Sequence, residues 1–336
     1  MATSPAEFQR QQAATAQGVL LLVRRQWDRM ASLDDWPTIA SRVTLLTAAG
    51  QAAAARRAAE WTTESFVALG APEPVAAVNP QAFAGVASDG RPLDSLLYSS
   101  VVHARNSYAS TDLQLEAGRK WLATLAKTMI ADAGRGAAQA QMVATPRTGY
   151  VRAVRPPCCQ ACAALAGKDV RWSVAFERHP GCDCVHVPRY GDLVTDDYTY
   201  APQVDDIHDL TAGQRMALED GGDIGQVINA YRGATPAQRA KMVTTTEGTT
   251  KRGWYAAVQR EAARQRGEVV QFMNVTNTGR RGYIANYKVR RTAPRLTPDA
   301  IYKVSQTREE AVRLLARNGY LQGSLSDVAR LANEAR

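Results

Sequence analysis

The sequence has 336 residues, 45% of them hydrophobic, and a formal net charge of +9 at pH 7. This length favours two or three domains, and the hydrophobic content suffices for an ordinary core. The longest apolar run near the start, "GVLLLV", is too short to span a bilayer, and no signal-peptide pattern accompanies it. We therefore expect a soluble protein without a membrane partner, made in a reducing cytosol.

The first 70 residues are predicted to form two long helices. Apolar residues from Phe8 to Met30 recur at roughly helical spacing among polar and basic residues. The stretch "SLDDWP" at 32–37 interrupts this pattern, because helix N-cap residues precede a proline. A second helix is predicted from about Thr38 to Leu69, so we expect a long-helix hairpin over 1–70.

A proline-rich linker, "APEPVAAVNP", follows Gly70. A third helical block covers about residues 92–144 and is rich in alanine, leucine and lysine. No strand-like alternation occurs in the first 145 residues. The region 71–145 is therefore predicted to be a helical domain, and the fold class of the chain is predicted to be mainly α.

The pattern changes near Pro146. β-Branched and aromatic residues alternate over 147–157, which predicts a strand, and a second short strand pattern lies at 185–192. A cysteine-rich segment separates the two. Short strands, turns and clustered metal-ligating residues are typical of a small metal-stabilised module, which we predict over 146–192.

The remaining region, 193–336, is predicted to be mixed α+β. A helical pattern returns at 211–232, and a strand is predicted at 268–274. Two short amphipathic helices are predicted on either side of 305–307.

The excess of basic residues lies in the last 96 positions. They hold 18 lysines and arginines against 8 aspartates and glutamates, a net charge of +10. Within them, "GRRGYIANYKVRRTAPR" combines two tyrosines with basic residues that could contact a phosphate backbone or stack on bases. A solvated loop has the same composition, so both interpretations stand. The candidate nucleic-acid-binding residues are Arg280, Arg281, Lys288, Arg290, Arg291 and Arg295.

All five cysteines of the chain lie within the 27 positions 158–184. Cys159 and Cys162 are three residues apart, so two thiolates could point at one ion from a tight turn. After 16 further residues the segment "HPGCDC" supplies up to three more ligands. Two chelating turns joined by a spacer predict a structural zinc site. Its candidate ligands are Cys159, Cys162, His179, Cys182 and Cys184.

A closed zinc site takes four ligands, so one of the five candidates is spare. Alternate residues of an extended strand face the same side, so Cys182 and Cys184 could both reach one ion and leave His179 beside it. Three other interpretations remain. The cysteines could be small buried apolar residues, or "CQAC" could be a thiol–disulfide centre, although no thioredoxin-like βαβ pattern surrounds it. A catalytic zinc would need an open position and a nearby general base.

The motif, in this order of residues, resembles the phage Mu protein F-like family of minor head proteins, also called phage head morphogenesis proteins. The matching elements are "CQAC", "LAG" at 165–167, "HPGCDC" and "VHVP". The segment "DIGQVINAYRG" and the helices of "TPDAIYKVSQTREEAVRLLARNGYL" also resemble members from actinobacterial phages. The resemblance covers most of residues 145–325. Cys158 departs from the family pattern, which leaves open which cysteine begins the first pair.

The resemblance implies a structural role in a tailed bacteriophage. Members of the family are present in a few copies in the virion, at the capsid interior or portal vertex, after synthesis in the host cytoplasm. They associate with the portal protein and major capsid protein in procapsid assembly, DNA packaging or ejection. Genomic DNA is the partner that the basic tail could contact. Two alternatives remain: a capsid maturation protease, which is the label of some relatives, and a DNA-binding zinc module.

A protease would need a nucleophile, a base and an orienting group. Ser99 and His103 are four residues apart, on one helix face if that segment is helical. Neither a "GxSxG" nor an "HExxH" pattern occurs. The last 100 residues are also too short, and lack a catalytic set, for a toxin-type effector domain. We therefore expect metal coordination and no catalysis. The candidate catalytic residues are Ser99, Ser100, His103, His208 and Asp209.

Overall fold

The computed structural model describes residues 3–107, 110–199, 201–239, 241–250, 253–268 and 294–335. Helices account for most of these residues, so the predicted mainly α fold class is confirmed. The helices are α1 (Pro5–Trp27), α2 (Trp36–Ala68), α3 (Leu93–Arg105), α4 (Thr111–Val143), α5 (Gln160–Leu165), α6 (Ala212–Glu219), α7 (Ile224–Asn229), α8 (Pro236–Arg239), α9 (Trp254–Gln265), α10 (Pro298–Val304), α11 (Arg308–Arg317) and α12 (Leu325–Glu334). The strands are β1 (Thr148–Ala153), β2 (Cys158–Cys159), β3 (Asp169–Arg171), β4 (Val185–Tyr190), β5 (Leu193–Val194), β6 (Ile207–His208), β7 (Thr244–Thr245) and β8 (Arg295–Leu296).

The chain divides into two compact units that differ from the predicted regions. The first unit contains residues 1–155 and 166–201, and the second contains 156–165 and 202–336. The predicted boundaries after residues 70 and 145 therefore fall inside the first unit. The second unit takes a ten-residue segment out of the predicted cysteine module.

The break between the first two helices lies where the sequence predicts it. Ser32 accepts a hydrogen bond from the backbone N–H of Asp34, and the Asp35 carboxylate accepts from the N–H groups of Ala31 and Ser32 at 2.8 and 2.9 Å. Helix α2 then begins at Trp36. These side chains cap a short 3₁₀ turn, Leu33–Asp35, which separates the two helices. The two predicted long helices are thus α1 and α2.

The segment between the proline-rich linker and α3 is held to α2 by a buried glutamine. The Gln51 side chain donates to the carbonyl of Val86 at 2.8 Å and accepts from the N–H of Gly85 at 2.9 Å. Because Gln51 lies in α2, these bonds tie the segment before α3 back to the hairpin. This tie is one physical reason that residues 1–70 and 71–145 form a common unit.

Two clusters of buried side chains stabilise the helices of the first unit. One contains Trp27, Trp36 and Leu97 and joins the α1–α2 turn to α3 and α4. The other contains Trp61 and Val187 and joins α2 and α4 to the sheet. Burial of such large apolar side chains is the main source of stability of a helical unit.

Gly118 of α4 lies against the ring of Trp27. A Cβ added at Gly118 would lie 2.6 Å from Trp27 Cζ2. The indole is fixed because its Nε1–H donates to the carbonyl of Leu115 at 3.0 Å. We expect Gly118→Ala to lower the free energy of unfolding by about 1–3 kcal/mol through overpacking. Urea denaturation followed by circular dichroism measures this change.

Gly18 of α1 provides a matched control for Gly118. No atom lies within 4 Å of a Cβ added there. Alanine is the better helix former, so Gly18→Ala should raise the free energy of unfolding by about 0.5–1 kcal/mol. A similar loss of stability in both variants would contradict the close packing of Gly118 on Trp27.

The first unit also contains a four-stranded antiparallel sheet in the order β3-β1-β4-β5. Its central pair sets Tyr150 opposite Pro188 and Arg152 opposite His186. The strands predicted over 147–157 and 185–192 are β1 and β4. The sheet is the β-containing part of the predicted module, and all its strands belong to the first unit.

The second unit is built from short helices around its own core. Buried Val227, Tyr231, Ile301, Leu315 and Tyr320 belong to this cluster. Two short strand pairs accompany the helices: β2 with β6, in parallel, and β7 with β8, antiparallel. The region after residue 201 is therefore mixed, with helices predominating among its described residues.

The helices predicted in the second unit are present, with one difference. The helix predicted over 211–232 is two helices, α6 and α7. It is interrupted at Gly221, whose φ is +86°, and Asp223 caps α7 by accepting from the N–H of Gln226 at 2.7 Å. The two helices around 305–307 are α10 and α11. The strand predicted at 268–274 lies, beyond Glu268, outside the described residues.

Within the described ranges, no helix has both the length and the apolar character needed to cross a membrane.

Candidate metal centre

The candidate ligands fall into two groups, one in each unit. Cys159 and Cys162 belong to the second unit, and His179, Cys182 and Cys184 belong to the first. Each group is held by contacts within its own unit.

The first pair of cysteines lies at a turn from strand to helix. Cys159 ends β2, and Cys162 lies in the short helix α5, which starts at the next residue after β2. The backbone N–H of Cys162 points at Cys159 Sγ, at an N–S distance of 3.4 Å. A backbone donor directed at sulfur stabilises negative charge on it, as a metal-ligating thiolate requires. The pair therefore has the geometry of a thiolate knuckle.

Two glutamines and a strand pair hold this knuckle in the second unit. The Gln160 side chain donates to the carbonyl of Asp209 and accepts from Gln214 Nε2 at 3.1 Å. The parallel pairing of β2 with β6 sets Cys159 beside His208. These contacts position the start of α5, and the sulfurs of Cys159 and Cys162 take no part in them.

Cys158 is separated from the candidate ligands by the alternation of its strand. It is 6% exposed and pairs with Ile207. Successive side chains of a strand point to opposite faces, so Cys158 and Cys159 face opposite ways. This geometry favours Cys159 as the first residue of the knuckle.

The segment from His179 to Cys182 forms a tight turn in the first unit. The N–H of Cys182 donates to the carbonyl of His179 at 3.2 Å, and Gly181 has a φ of +78°. Proline followed by glycine at the centre of the turn is the signature of a type II turn, in which the third position requires a positive φ. The N–H of Gly181 also donates to Thr128 Oγ1 of α4 at 2.8 Å.

His179 is oriented by its own turn. Its Nδ1 lies 2.9 Å from the carbonyl oxygen of Pro180. An Nδ1–H donor to a carbonyl leaves the Nε2 lone pair for a metal, the usual arrangement of a metal-ligating histidine. This contact is compatible with His179 as a ligand.

A buried arginine fixes the backbone on both sides of Asp183. Arg135 of α4 donates from Nη2 to the carbonyl of Cys182 at 2.6 Å and from Nε to the carbonyl of Cys184 at 2.9 Å. Its Nη1 donates to Asp132 at 2.7 Å. Both cysteines are almost completely buried, at 2% and 1% exposure. The turn that carries them is therefore rigid, and positive charge lies beside it.

A second arginine and a histidine complete the surroundings of this turn. Arg152 of β1 is buried, and its Nη2 lies 3.7 Å from Cys182 Sγ. His186 packs edge-on against Tyr150, with ring centroids 4.2 Å apart. Burial, and then the charges of Arg135 and Arg152, lower the pKa of His186 to about 3, so the imidazole is neutral at pH 7.

In the second unit the sulfurs of Cys159 and Cys162 lie within 4.8 Å of each other, and in the first unit those of Cys182 and Cys184 do, so each pair could contribute to a metal site. His179 lies in the first unit, three residues before Cys182. This geometry does not identify the metal.

The sequence-based interpretation missed the two arginines. Two signals for them are present in the sequence. Arg152 is two residues from Tyr150 on a strand, and so shares its inward face. Arg135 is the only charged residue within the small-residue stretch "AGRGAAQAQ" of α4.

The predicted nucleic-acid-binding set is wrong at one position. Arg295 of β8 is 1% exposed, donates to the carbonyl of Asn318 at 3.1 Å and stacks over Tyr320 at 4.3 Å. Burial lowers the pKa of its guanidinium below the ordinary value. A side chain enclosed in this way cannot contact a phosphate backbone. Outside the described residues lie Arg280, Arg281, Lys288, Arg290 and Arg291.

The residues considered for a protease have other contacts. Ser100 is buried and donates to the carbonyl of Leu97 at 2.7 Å. His103 stacks on Trp121, with ring centroids 4.9 Å apart. His208 Nδ1 lies 2.5 Å from the Asp209 carboxylate, at an exposed position. These contacts give no support to a nucleophile–base pair at Ser99 or Ser100.

Comparisons of the chain with protein-family models, with curated proteins and with solved structures found no match.

Proposed function

We propose that this chain is a minor structural head protein of a tailed bacteriophage, and that its cysteine–histidine motif binds one structural zinc ion. The observation that carries the proposal is the local backbone geometry of the two halves of the motif. Cys159 and Cys162 form a knuckle with an N–H directed at sulfur, and His179 and Cys182 close a rigid turn. The order of residues in this motif is also what resembles the phage Mu protein F-like family.

Zinc fits this donor set best among common metals. Thiolates and imidazole are its preferred structural ligands, and four of them in a tetrahedron close the site. Calcium and magnesium prefer oxygen ligands, and the "CQAC" and "HPGCDC" segments contain only one carboxylate, that of Asp183. In the proposed site, Cys159 and Cys162 bind from the knuckle, and the "HPGCDC" segment supplies the other two ligands.

The proposed role of the ion is structural, because it would stabilise short segments of the chain. Strands β2 and β3 have two and three residues and bury little apolar surface. Structures that cannot build a sufficient core are commonly stabilised by a metal, whose binding energy is then folding energy. When bound, the zinc would supply this stabilisation and no catalytic step.

The long helices support a role in contacts with other head proteins. Helices α2 and α4 have 33 residues each, so each extends for roughly 50 Å at about 1.5 Å per residue. Both carry exposed apolar side chains, Leu45 and Val67 on α2 and Leu113 and Val143 on α4. Helices of this length offer extended, rigid surfaces, which suits a protein whose proposed partners are the portal protein and the major capsid protein.

The function is tested by the composition of purified particles. In phage particles purified on a density gradient after DNase treatment, we expect the intact chain in a few copies, measured by quantitative mass spectrometry. Particles that contain no copy of the chain would overturn the proposal.

Two variants connect this test to the metal. Cys162→Ser should reduce the number of copies per particle, whereas Cys158→Ser should leave it unchanged, because Cys162 is a ligand in the proposed site and Cys158 is not. Cleavage of the major capsid protein that depends on a serine of this chain would favour the protease alternative instead.

A further inference from the structure

Arg152 is buried in the first unit, where its guanidinium contacts a backbone carbonyl, an aromatic ring and a cysteine sulfur. Its residue is 4% exposed and lies at the centre of the sheet, in β1. Nη1 donates to the carbonyl of Glu177 at 2.5 Å, and the guanidinium lies 4.1 Å from the centroid of Phe176. The carbonyl and the aromatic ring fix the plane of the guanidinium. These two contacts hold the guanidinium beside Cys182.

The guanidinium of Arg152 also lies close to a sulfur atom. Nη2 and Cys182 Sγ are 3.7 Å apart, a distance suited to an N–H···S hydrogen bond because sulfur is larger than oxygen. Sulfur bound to a metal carries negative charge, and a hydrogen bond from a cationic donor is stronger than one between neutral groups. Removal from water strengthens the interaction further.

Arg135 acts on the same turn but on different atoms. It holds the carbonyls of Cys182 and Cys184, whereas Arg152 contacts the sulfur of Cys182. One arginine therefore fixes the backbone and the other fixes a side chain. Groups that contact ligands in this way orient them and tune their affinity for metal.

We propose that Arg152 is a positioning residue for metal binding, which holds the Cys182 sulfur in the direction of a ligand. The inference rests on the proposed zinc site and identifies one of its ligands. In this proposal Cys182 binds the zinc, and the one candidate that does not bind is among Cys159, Cys162, His179 and Cys184. Arg152 does not bind the metal; it acts through Cys182.

The test is the zinc affinity of the full-length chain, measured by competition with a chromophoric chelator. Loss of a group that orients a metal ligand typically weakens affinity about 10- to 100-fold, and we expect this for Arg152→Met. Arg152→Lys should weaken it less, because lysine keeps the charge but not the planar donor geometry.

Arg189→Met is the matched control. Arg189 lies in the same sheet, in β4, is largely buried, and pairs with Asp169 at 2.6 Å. Its substitution removes a guanidinium of the same unit that has no contact with a candidate ligand, so zinc affinity should stay at the wild-type value. An equal loss in Arg152→Met and Arg189→Met would mean general damage to the sheet and would overturn the proposal.

A double-mutant comparison separates positioning from a purely structural role. If Arg152 acts through Cys182, Arg152→Met should have no further effect on zinc affinity in a Cys182→Ser chain. Additive losses, or wild-type affinity in Arg152→Met, would overturn the inference while leaving the zinc site standing. A wild-type chain that binds no zinc would overturn the proposed site and this inference with it. If Arg152→Met does not fold, the comparison is made with Arg152→Lys.

Discussion

Substitution of Cys162 by serine should reduce the zinc content of the purified chain from about one ion per molecule to nearly none. Cys162 is a ligand in the proposed site, is buried, and lies next to the knuckle sulfur of Cys159. Serine has nearly the same volume but its hydroxyl is not a thiolate. The measurement is metal content by inductively coupled plasma mass spectrometry, with native mass spectrometry to count ions per chain.

The expected effect is large because structural zinc contributes directly to folding. Apparent binding free energies of such sites are about 10–16 kcal/mol at neutral pH, more than the net stability of most domains. Removal of zinc from the wild-type chain by a chelator should therefore lower the melting temperature. The same chelator should not change the melting temperature of the Cys162→Ser chain, which has no zinc to lose.

Cys158→Ser is the control for this experiment. It changes the same atom in a neighbouring cysteine of the same turn, but Cys158 packs beside Ile207 on the opposite face of β2 from Cys159. The Cys158→Ser chain should retain about one zinc ion. Loss of zinc in this variant would move the start of the knuckle to Cys158. A wild-type chain with no metal and a disulfide within "CQAC" would favour the thiol–disulfide interpretation.

The helices of the first half could be predicted because their signals are local. Hydrophobic spacing identifies α1 and α2, and the capping residues of 32–37 mark the break between them. The helices α10 and α11 have the same kind of signal, with Thr307 as N-cap of the second. Each of these features depends on residues within one or two turns of each other, which a sequence pattern contains.

The division into units could not be predicted, because it depends on pairing between distant segments. Residues 146–192, which contain the cysteine–histidine motif, are continuous in sequence, and this continuity favours a single module. The segment 156–165 belongs instead to the second unit, where β2 pairs with β6 about 50 residues later and Gln160 bonds to Gln214. Local composition carries no information on such a partner.

Arg295 illustrates the same limit for a binding site. In the sequence Arg295 ends a run of basic residues, and this position favours a shared role with them in nucleic-acid binding. The pairing of β7 with β8 and the ring of Tyr320 bury it, and neither contact is local. The candidate metal ligands were predictable because residue type and spacing determine coordination chemistry. The arginines that surround Cys182 come from β1 and from α4, about 30 and 47 residues away.

Substitution of Trp61 by alanine should lower the free energy of unfolding of the first unit by about 3–5 kcal/mol. Trp61 of α2 is completely buried and stacks on Phe8 of α1, with centroids 4.0 Å apart. Its Nε1–H donates to the carbonyl of Thr3 at 2.7 Å. Alanine would leave a cavity between α1 and α2 and would remove the donor of the Thr3 carbonyl. Hydrogen exchange with mass spectrometry measures the change in each unit separately.

Trp172→Ala provides the matched comparison within the same unit. Trp172 is 43% exposed, and the hydrogen bond it accepts from Gln139 uses its backbone carbonyl, which alanine retains. Its substitution should change the free energy of unfolding by no more than about 0.5 kcal/mol. In Trp61→Ala, peptides of α1, α2 and α4 should lose protection while those of α10 and α11 keep it, since the second unit has a separate core. Equal loss of protection in both units would mean that they unfold together, and the two cores would then be one cooperative structure.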